Sequence, residues 1–354
     1  MKKILLIALV VLIAVAGFIV VRKHNKAESE VSSLPTFGGA PPISDTASGS
    51  GDNTSGGSSS NTSPATKGSN YTAGTFVGSL NTADGRTRTY LIHIPTGYTA
   101  GKTYPLVFLF HGGGKMGTRI LQYTQFDKKA DDKGFIVVAP EGIKHNWNDG
   151  RGTTDAELAG VDDVAFIRQL AKDLSAKLPI DQKRMYATGP SNGGMMTERL
   201  GCDASDLFAA IAPDVGPLPS RLESSCKPGP ISVIGIQGSA DPGIPIDGGV
   251  MQGRGDGGEV LSARATMQFW AAKANCNTVP QVIHQKPLVN DGTSVDQYTF
   301  SGCTAGTSVV YYIVQGMGHS WPPLSGNADT GGPTSQNIDA TDVVWDFFAA
   351  HPKQ

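Results

Sequence analysis

The feature that most constrains the fold is the pentapeptide Gly189-Pro190-Ser191-Asn192-Gly193, taken with its flanks. The run Arg184-Met185-Tyr186-Ala187-Thr188 before it reads as a short strand. The stretch from Asn192 through Met195, Met196 and Leu200 reads as a helix. A serine between glycines at a strand-to-helix turn has the setting of a nucleophile elbow. Such a turn is too sharp for side chains at its flanks, which explains the glycines. It leaves the hydroxyl exposed at the tip of a strand, beside helix amides that can stabilise a developing oxyanion. The five letters alone fit an ordinary Gly-rich connection equally well; the strand and helix around them favour the elbow.

An elbow needs a sheet, and the rest of the pattern supplies one. Residues 87–95 alternate and are rich in β-branched side chains, as a strand should be. Residues 104–110 and 134–140 are continuous apolar runs, expected of strands buried on both faces. Residues 121–133 have helical character, and a helix is expected over 162–178, with Val164, Phe166, Ile167, Leu170 and Leu174 as its apolar positions. Short strands follow at 208–212, 231–236 and 308–314, and helices at 262–273 and 340–350. Strands alternating with helices predict an α/β fold: a doubly wound, mostly parallel sheet with helices on both faces.

A serine hydroxyl needs a base at neutral pH. His93 and His284 sit in extended alternating stretches and His351 at the C-terminus, whereas His319 lies in a Gly-rich loop after the last strand, Gln315-Gly316-Met317-Gly318-His319. The acid must lie between Ser191 and His319. Asp241 follows the strand at 231–236 and should emerge at the C-terminal edge of the sheet, where sites in such folds gather. Asp214, after the strand at 208–212, is the runner-up, and Asp247 is weaker. His111-Gly112-Gly113-Gly114 follows the strand at 104–110, and the amides of Gly112 and Gly113, with that of Asn192, are expected to form an oxyanion hole. His111 is read as a structural hydrogen-bonding residue. Trp147, Asp149 and Arg151, in a loop facing the same edge, and Trp321, beside His319, are read as substrate-binding walls; bracing of those loops is the competing reading. One of Asp162 and Asp163 should cap the helix they begin.

The N-terminus has a different character. Lys2 and Lys3 precede an apolar run at 4–21, so residues 1–25 read either as a cleaved signal peptide, with Ala14-Val15-Ala16 as a cleavage site, or as a single-span membrane anchor. Residues 26–71 are rich in Ser, Gly and Thr and are expected to be a flexible, disordered linker, leaving 72–354 as the catalytic domain. Cys202, Cys226, Cys276 and Cys303 lack metal-ligand spacing, and an even count in an exported chain favours disulfides. Three pairings exist; the simplest is sequential, each bridge closing a loop of about 25 residues. With 29 basic and 31 acidic residues there is no basic stripe, which argues against a nucleic-acid partner.

The domain resembles bacterial secreted esterases related to feruloyl esterases and polyhydroxybutyrate depolymerases, of the α/β-hydrolase fold. The matching pieces, in order, are His111-Gly112-Gly113-Gly114, Trp147-Asn148-Asp149-Gly150-Arg151, Val161-Asp162-Asp163-Val164, Gly189-Pro190-Ser191-Asn192-Gly193-Gly194-Met195-Met196, Gly238-Ser239-Ala240-Asp241 and Gly318-His319-Ser320-Trp321-Pro322. The resemblance implies a Ser191–His319–Asp241 triad, no metal, and hydrolysis of carboxylic esters. It also supports the sequential disulfides. No cofactor is expected, the expected partner is a small-molecule or oligomeric ester, and the catalytic domain is expected to be monomeric. Three positions depart from the family: Gln237 stands where His is usual, Lys115 replaces a small or Asn-like residue, and Pro190 replaces an apolar side chain. A catalytically silent binding domain on a membrane tether and a peptidase are the alternatives; the intact Ser, Asp and His argue against the first.

Overall fold

The structure, a computed structural model, describes residues 33–37, 68, 70–252, 257–324 and 331–354. The apolar run at 4–21 and most of the expected linker lie outside the described residues. Among the described residues no helix is long and apolar enough to cross a membrane.

Among the described residues twelve strands form, in chain order: β1 Gly74–Asn81, β2 Thr87–Ile94, β3 Tyr104–Leu109, β4 Ile136–Pro140, β5 Ile180–Pro190, β6 Ala210–Asp214, β7 Ser232–Gly238, β8 Gly249–Val250, β9 Glu259–Val260, β10 Gln281–His284, β11 Ser294–Phe300 and β12 Val309–Gln315. Ten of them make one sheet, in the order β1-β2-β4-β3-β5-β6-β7-β12-β11-β10. The six central strands, β4 to β12 in that order, are parallel. Antiparallel strands flank them on both sides.

Helices cover both faces. On one lie α4 (Asp163–Lys177), α5 (Asn192–Asp203) and α6 (Ala263–Lys273), whose Phe166, Leu170, Met196, Leu200, Met267 and Trp270 pack on Phe108, Ala187, Ile211 and Val233 of the sheet. On the other lie α1 (Gly117–Thr124), α2 (Phe126–Lys133) and α7 (Ala340–Ala350), whose Leu121, Phe126, Trp345 and Phe348 cover Val107, Val137 and Tyr186. A short α3 (Asp155–Leu158) follows the Trp147 loop. The expected fold is thus the observed one. The expected helical stretch at 121–133 is two helices, divided where Gln125 turns left-handed at φ 54°. Asp162 caps α4 by accepting the Ala165 amide, while Asp163 is fully buried and paired with Arg88.

Two features tie the periphery down. Both sequential disulfides form, Cys202–Cys226 and Cys276–Cys303. The first fastens the end of α5 to the segment before β7. Residues 33–37, inside the segment expected to be a linker, instead lie along the edge of β1. The Phe37 amide donates to Val77 O at 2.7 Å and the Val77 amide to Pro35 O at 2.9 Å. An edge strand presents unpaired amides that an extended segment can satisfy. Phe37 supplies the apolar contact, stacking on Tyr71 with ring centroids 4.7 Å apart.

Candidate active site

From β3 the chain passes to β4 on one side and then to β5 on the other, so the strand order reverses between β3 and β5. That switch point opens a crevice at the carboxyl ends of the strands. The loop 111–114 leaves the end of β3 there, and Ser191 leaves the end of β5. Asp214 closes β6, Asp241 follows β7, and His319 follows β12. Five segments far apart in sequence meet at one sheet edge.

At the elbow, Ser191 has φ 60° and ψ −126°, a conformation costly for any residue with a side chain. Its amide donates to Asp214 O at 2.9 Å, and its carbonyl accepts from Met195 at 2.9 Å. The flanking glycines are sterically required. A Cβ on Gly189 would lie 2.2 Å from Phe110 O, and one on Gly193 2.4 Å from the same atom. Asn192 is the first residue of α5, where an amide has no intrahelical acceptor.

His319 Nδ1 lies 2.7 Å from Asp241 Oδ2. The other oxygen, Oδ1, accepts the amides of Gly243 at 2.8 Å and Ile244 at 2.9 Å. The carboxylate is therefore held on both sides, and its side chain is wholly buried while that of His319 is 20% exposed. The bond engages Nδ1, leaving Nε2 as the nitrogen for a proton transfer. A second segment clamps this loop: the Gly318 amide donates to Pro333 O and that of His319 to Gly331 O.

His111 is fully buried with both ring nitrogens used. Nδ1 bonds Gly112 O at 2.9 Å, and Nε2 accepts the Gly142 amide at 3.0 Å. An acceptor at Nε2 and a donor at Nδ1 require the neutral ring. Burial, the main cause, takes its pKa down to about 4. Glu141 Oε2, 3.6 Å from Nε2, therefore faces an uncharged imidazole. Across a trans peptide the C=O and N–H point opposite ways. Holding the Gly112 carbonyl toward His111 turns the Gly113 amide away from it. The loop lies against the elbow: a Cβ on Gly112 would be 3.5 Å from Ser191 Cβ, and one on Gly113 3.7 Å from Asn192 Cβ.

Residues 88–277 match the family model described as esterase PHB depolymerase. The chain belongs to that family. It is a carboxylic ester hydrolase, as the resemblance implied. An esterase of Nocardia uniformis subsp. tsuyamanensis is 28% identical over 274 residues, covering 75% of this chain and 80% of its own. Feruloyl esterase C of Emericella nidulans is 30% identical over 284 residues, covering 78% and 88%. An acetyl xylan esterase from Aspergillus awamori shares the fold with a TM-score of 0.54, at 14% identity, over 77% of this chain and 99% of its own.

The substrate walls expected of this PHB depolymerase-type esterase need correction. Trp147, Asp149 and Trp321 are 0% exposed and Arg151 is 4% exposed, so none offers a face to a ligand. Trp147 Nε1 donates to His111 O, and Trp321 Nε1 to Thr341 Oγ1. Arg151 Nε pairs with Asp149 Oδ2 at 2.8 Å. Amphipathic loop residues near a site read the same in sequence whether they face the ligand or support the loop from beneath; their burial here fits the bracing alternative. Sequence reasoning also missed Tyr123, whose hydroxyl accepts the Trp321 amide at 2.7 Å. Its place on α1 carries no sequence signal of that contact.

Proposed function

We propose that this esterase works through a Ser191–His319–Asp241 triad and an acyl-enzyme. The observation that carries the reading is the 2.7 Å bond between His319 Nδ1 and Asp241 Oδ2, at the sheet edge where Ser191 occupies a strained elbow. His319 Nε2 takes the Ser191 proton as the hydroxyl attacks the ester carbonyl, and Asp241 stabilises the imidazolium. The amides of Asn192 and Gly113, with Gly112 shaping the loop, receive the oxyanion. His319 then protonates the leaving alcohol, and a water molecule repeats the sequence on the acyl-enzyme. Ser191→Ala should abolish turnover of a chromogenic short-chain ester, and undiminished turnover in the folded variant would refute the assignment.

For substrate, the reading is an ester of the polyhydroxybutyrate depolymerase or feruloyl esterase type, with acetylated xylan and simple short-chain esters as alternatives. Comparing kcat/KM on feruloyl sugar esters, acetylated xylan and hydroxybutyrate oligomers decides among them. Two disulfides suit an oxidising compartment, which supports export, as a secreted or periplasmic protein or one tethered through residues 4–21. N-terminal sequencing of the mature protein separates cleavage from anchoring.

A further inference from the structure

His319 sits on a loop that no helix or strand carries, so something else must fix the backbone beneath the imidazole. Three stretches of backbone lie face to face there: 238–242 at the end of β7, which carries Asp241, 316–319 after β12, and 331–333. The gaps between them leave no room for side chains. A Cβ on Gly238 would collide with the carbonyl oxygens of Met317 and Gly318. One on Gly318 would lie 2.5 Å from Gly331 O and 2.7 Å from Gly332 Cα, and one on Gly332 2.9 Å from Gly318 Cα. Gly332 also has φ 107°, a value that favours glycine. Hydrogen bonds close both gaps. The Ala240 amide donates to Met317 O at 2.9 Å, the Gly318 amide to Pro333 O at 2.8 Å and the His319 amide to Gly331 O at 3.2 Å.

The outer stretch is itself anchored at a distance. Residues 331–333 are exposed, so they gain little hold from apolar burial. Asn337, 5% exposed, supplies the hold. Its Oδ1 accepts the amides of Leu288 at 2.7 Å and Val289 at 2.9 Å. Its Nδ2 donates to Asp291 Oδ1 at 2.8 Å and Thr293 O at 3.1 Å. The Gln336 amide adds a bond to Asp291 Oδ2 at 2.7 Å. These partners all belong to the turn between β10 and β11, at the edge of the sheet. The same turn abuts the start of the His319 loop, where a Cβ on Gly316 would lie 2.8 Å from Gly292 O.

We propose that Gly332 and Asn337 are positioning residues for the His319 base. Asn337 pins the outer stretch to the β10–β11 turn, and Gly332 lets that stretch press directly on Gly318, which sets the direction of the imidazole. This rests on the reading of His319 as base. Among the described residues the ring has one hydrogen bond, to Asp241 Oδ2. Its aim therefore depends on where the backbone of 318–319 lies. Misplacing a reacting group by about 1 Å can cost on the order of 10²-fold in rate.

The test is a double-mutant cycle on kcat for a chromogenic ester, pairing Gly332→Ala with His319→Ala and reading each rate above uncatalysed hydrolysis. Gly332→Ala should lower kcat by about 10- to 100-fold, with KM within about twofold of wild type. In the His319→Ala background it should have no further effect. The same loss in both backgrounds would overturn the proposal, because the glycine would then act on something other than the base. An unchanged kcat, or a rise in KM alone, would overturn it as well. Full turnover in His319→Ala would instead refute the parent reading of that residue as base. Asn337→Ala removes the anchor without placing an atom against Gly318, and takes the place of Gly332→Ala in the cycle if that variant does not fold. It should reproduce the pattern with a loss of about tenfold, and an unchanged kcat in the folded variant would refute the anchoring role.

Discussion

Asn192 Nδ2 donates to Asp149 Oδ2 at 2.6 Å, in a contact from which water is excluded. The residue after the nucleophile is thereby tied to the Trp147 loop, and Asn192 Oδ1 adds a bond from the Trp147 amide at 2.8 Å. Asp149 also anchors Arg151. Burial pushes the Asp149 pKa up, while the Arg151 charge and the Asn192 amide oppose that shift. Asp149→Ala would strand a buried guanidinium and an unsatisfied amide. A loss of about 3–5 kcal/mol is expected, read as a lower midpoint in urea. Replacing both members, Asp149→Leu with Arg151→Met, should cost less than the single change. A double variant no more stable than the single would mean that the charge pair is not what holds the loop.

His111 acts on the site through the Gly112 carbonyl. His111→Phe keeps the ring volume and its contact with Trp147 but loses both hydrogen bonds. With nothing holding the Gly112–Gly113 peptide, the proposed oxyanion donor at Gly113 would be misdirected. A fall in kcat on the order of 10²-fold is expected, with KM nearly constant, because the lost interaction belongs to the transition state. Steady-state kinetics on the folded variant checks this, and an unchanged kcat would show that the loop keeps its orientation without the histidine.

The Cys202–Cys226 bridge joins the C-terminal end of α5, the helix begun by Asn192, to the loop before β7. Cys276–Cys303 lies beyond α6, away from the strand ends that carry the site. Removing either pair by double serine substitution should lower stability by about 2–4 kcal/mol. Only the first should also lower kcat, since it alone fixes the helix that begins at Asn192, the proposed oxyanion donor. Equal kinetic effects from the two double variants would contradict that distinction.

The strands, the layered fold and the elbow were legible because each rests on local chemistry: apolar runs of strand length, and glycines where Phe110 O leaves no room for a Cβ. Asp241 and His319 were legible because strand order places them at one sheet edge, and the structure brings their side chains together. The roles of Trp147, Asp149, Arg151 and Trp321 were not, because sequence gives a loop's position but not which side of it faces the crevice. The edge contact of Phe37 was hidden for another reason. Its five-residue segment is surrounded by Ser and Gly, and its burial depends on Tyr71, Phe76 and Tyr90, contributed by distant parts of the chain.

Glu198 gives a pH dependence of stability that is separable from catalysis. It lies on α5, fully buried, with Oε2 accepting the Trp270 indole N–H and its side chain lining a small cavity with Gln237 and Tyr311. Burial raises its pKa from 4.5 to about 8. Between those values the folded protein holds a proton that the unfolded chain has released, so stability falls as pH rises. His111 works in the opposite direction. Its pKa falls from 6.5 to about 4, so its contribution grows with pH and is complete above 6.5. The window from pH 6.5 to 8 therefore isolates Glu198 from His111. Across it, wild type should lose about 2 kcal/mol more than Glu198→Gln, since glutamine can still accept the indole N–H and carries no titrating proton. Urea unfolding at the two pH values measures the difference, and parallel losses in the two proteins would mean that Glu198 ionises in the folded state as it does in the unfolded chain.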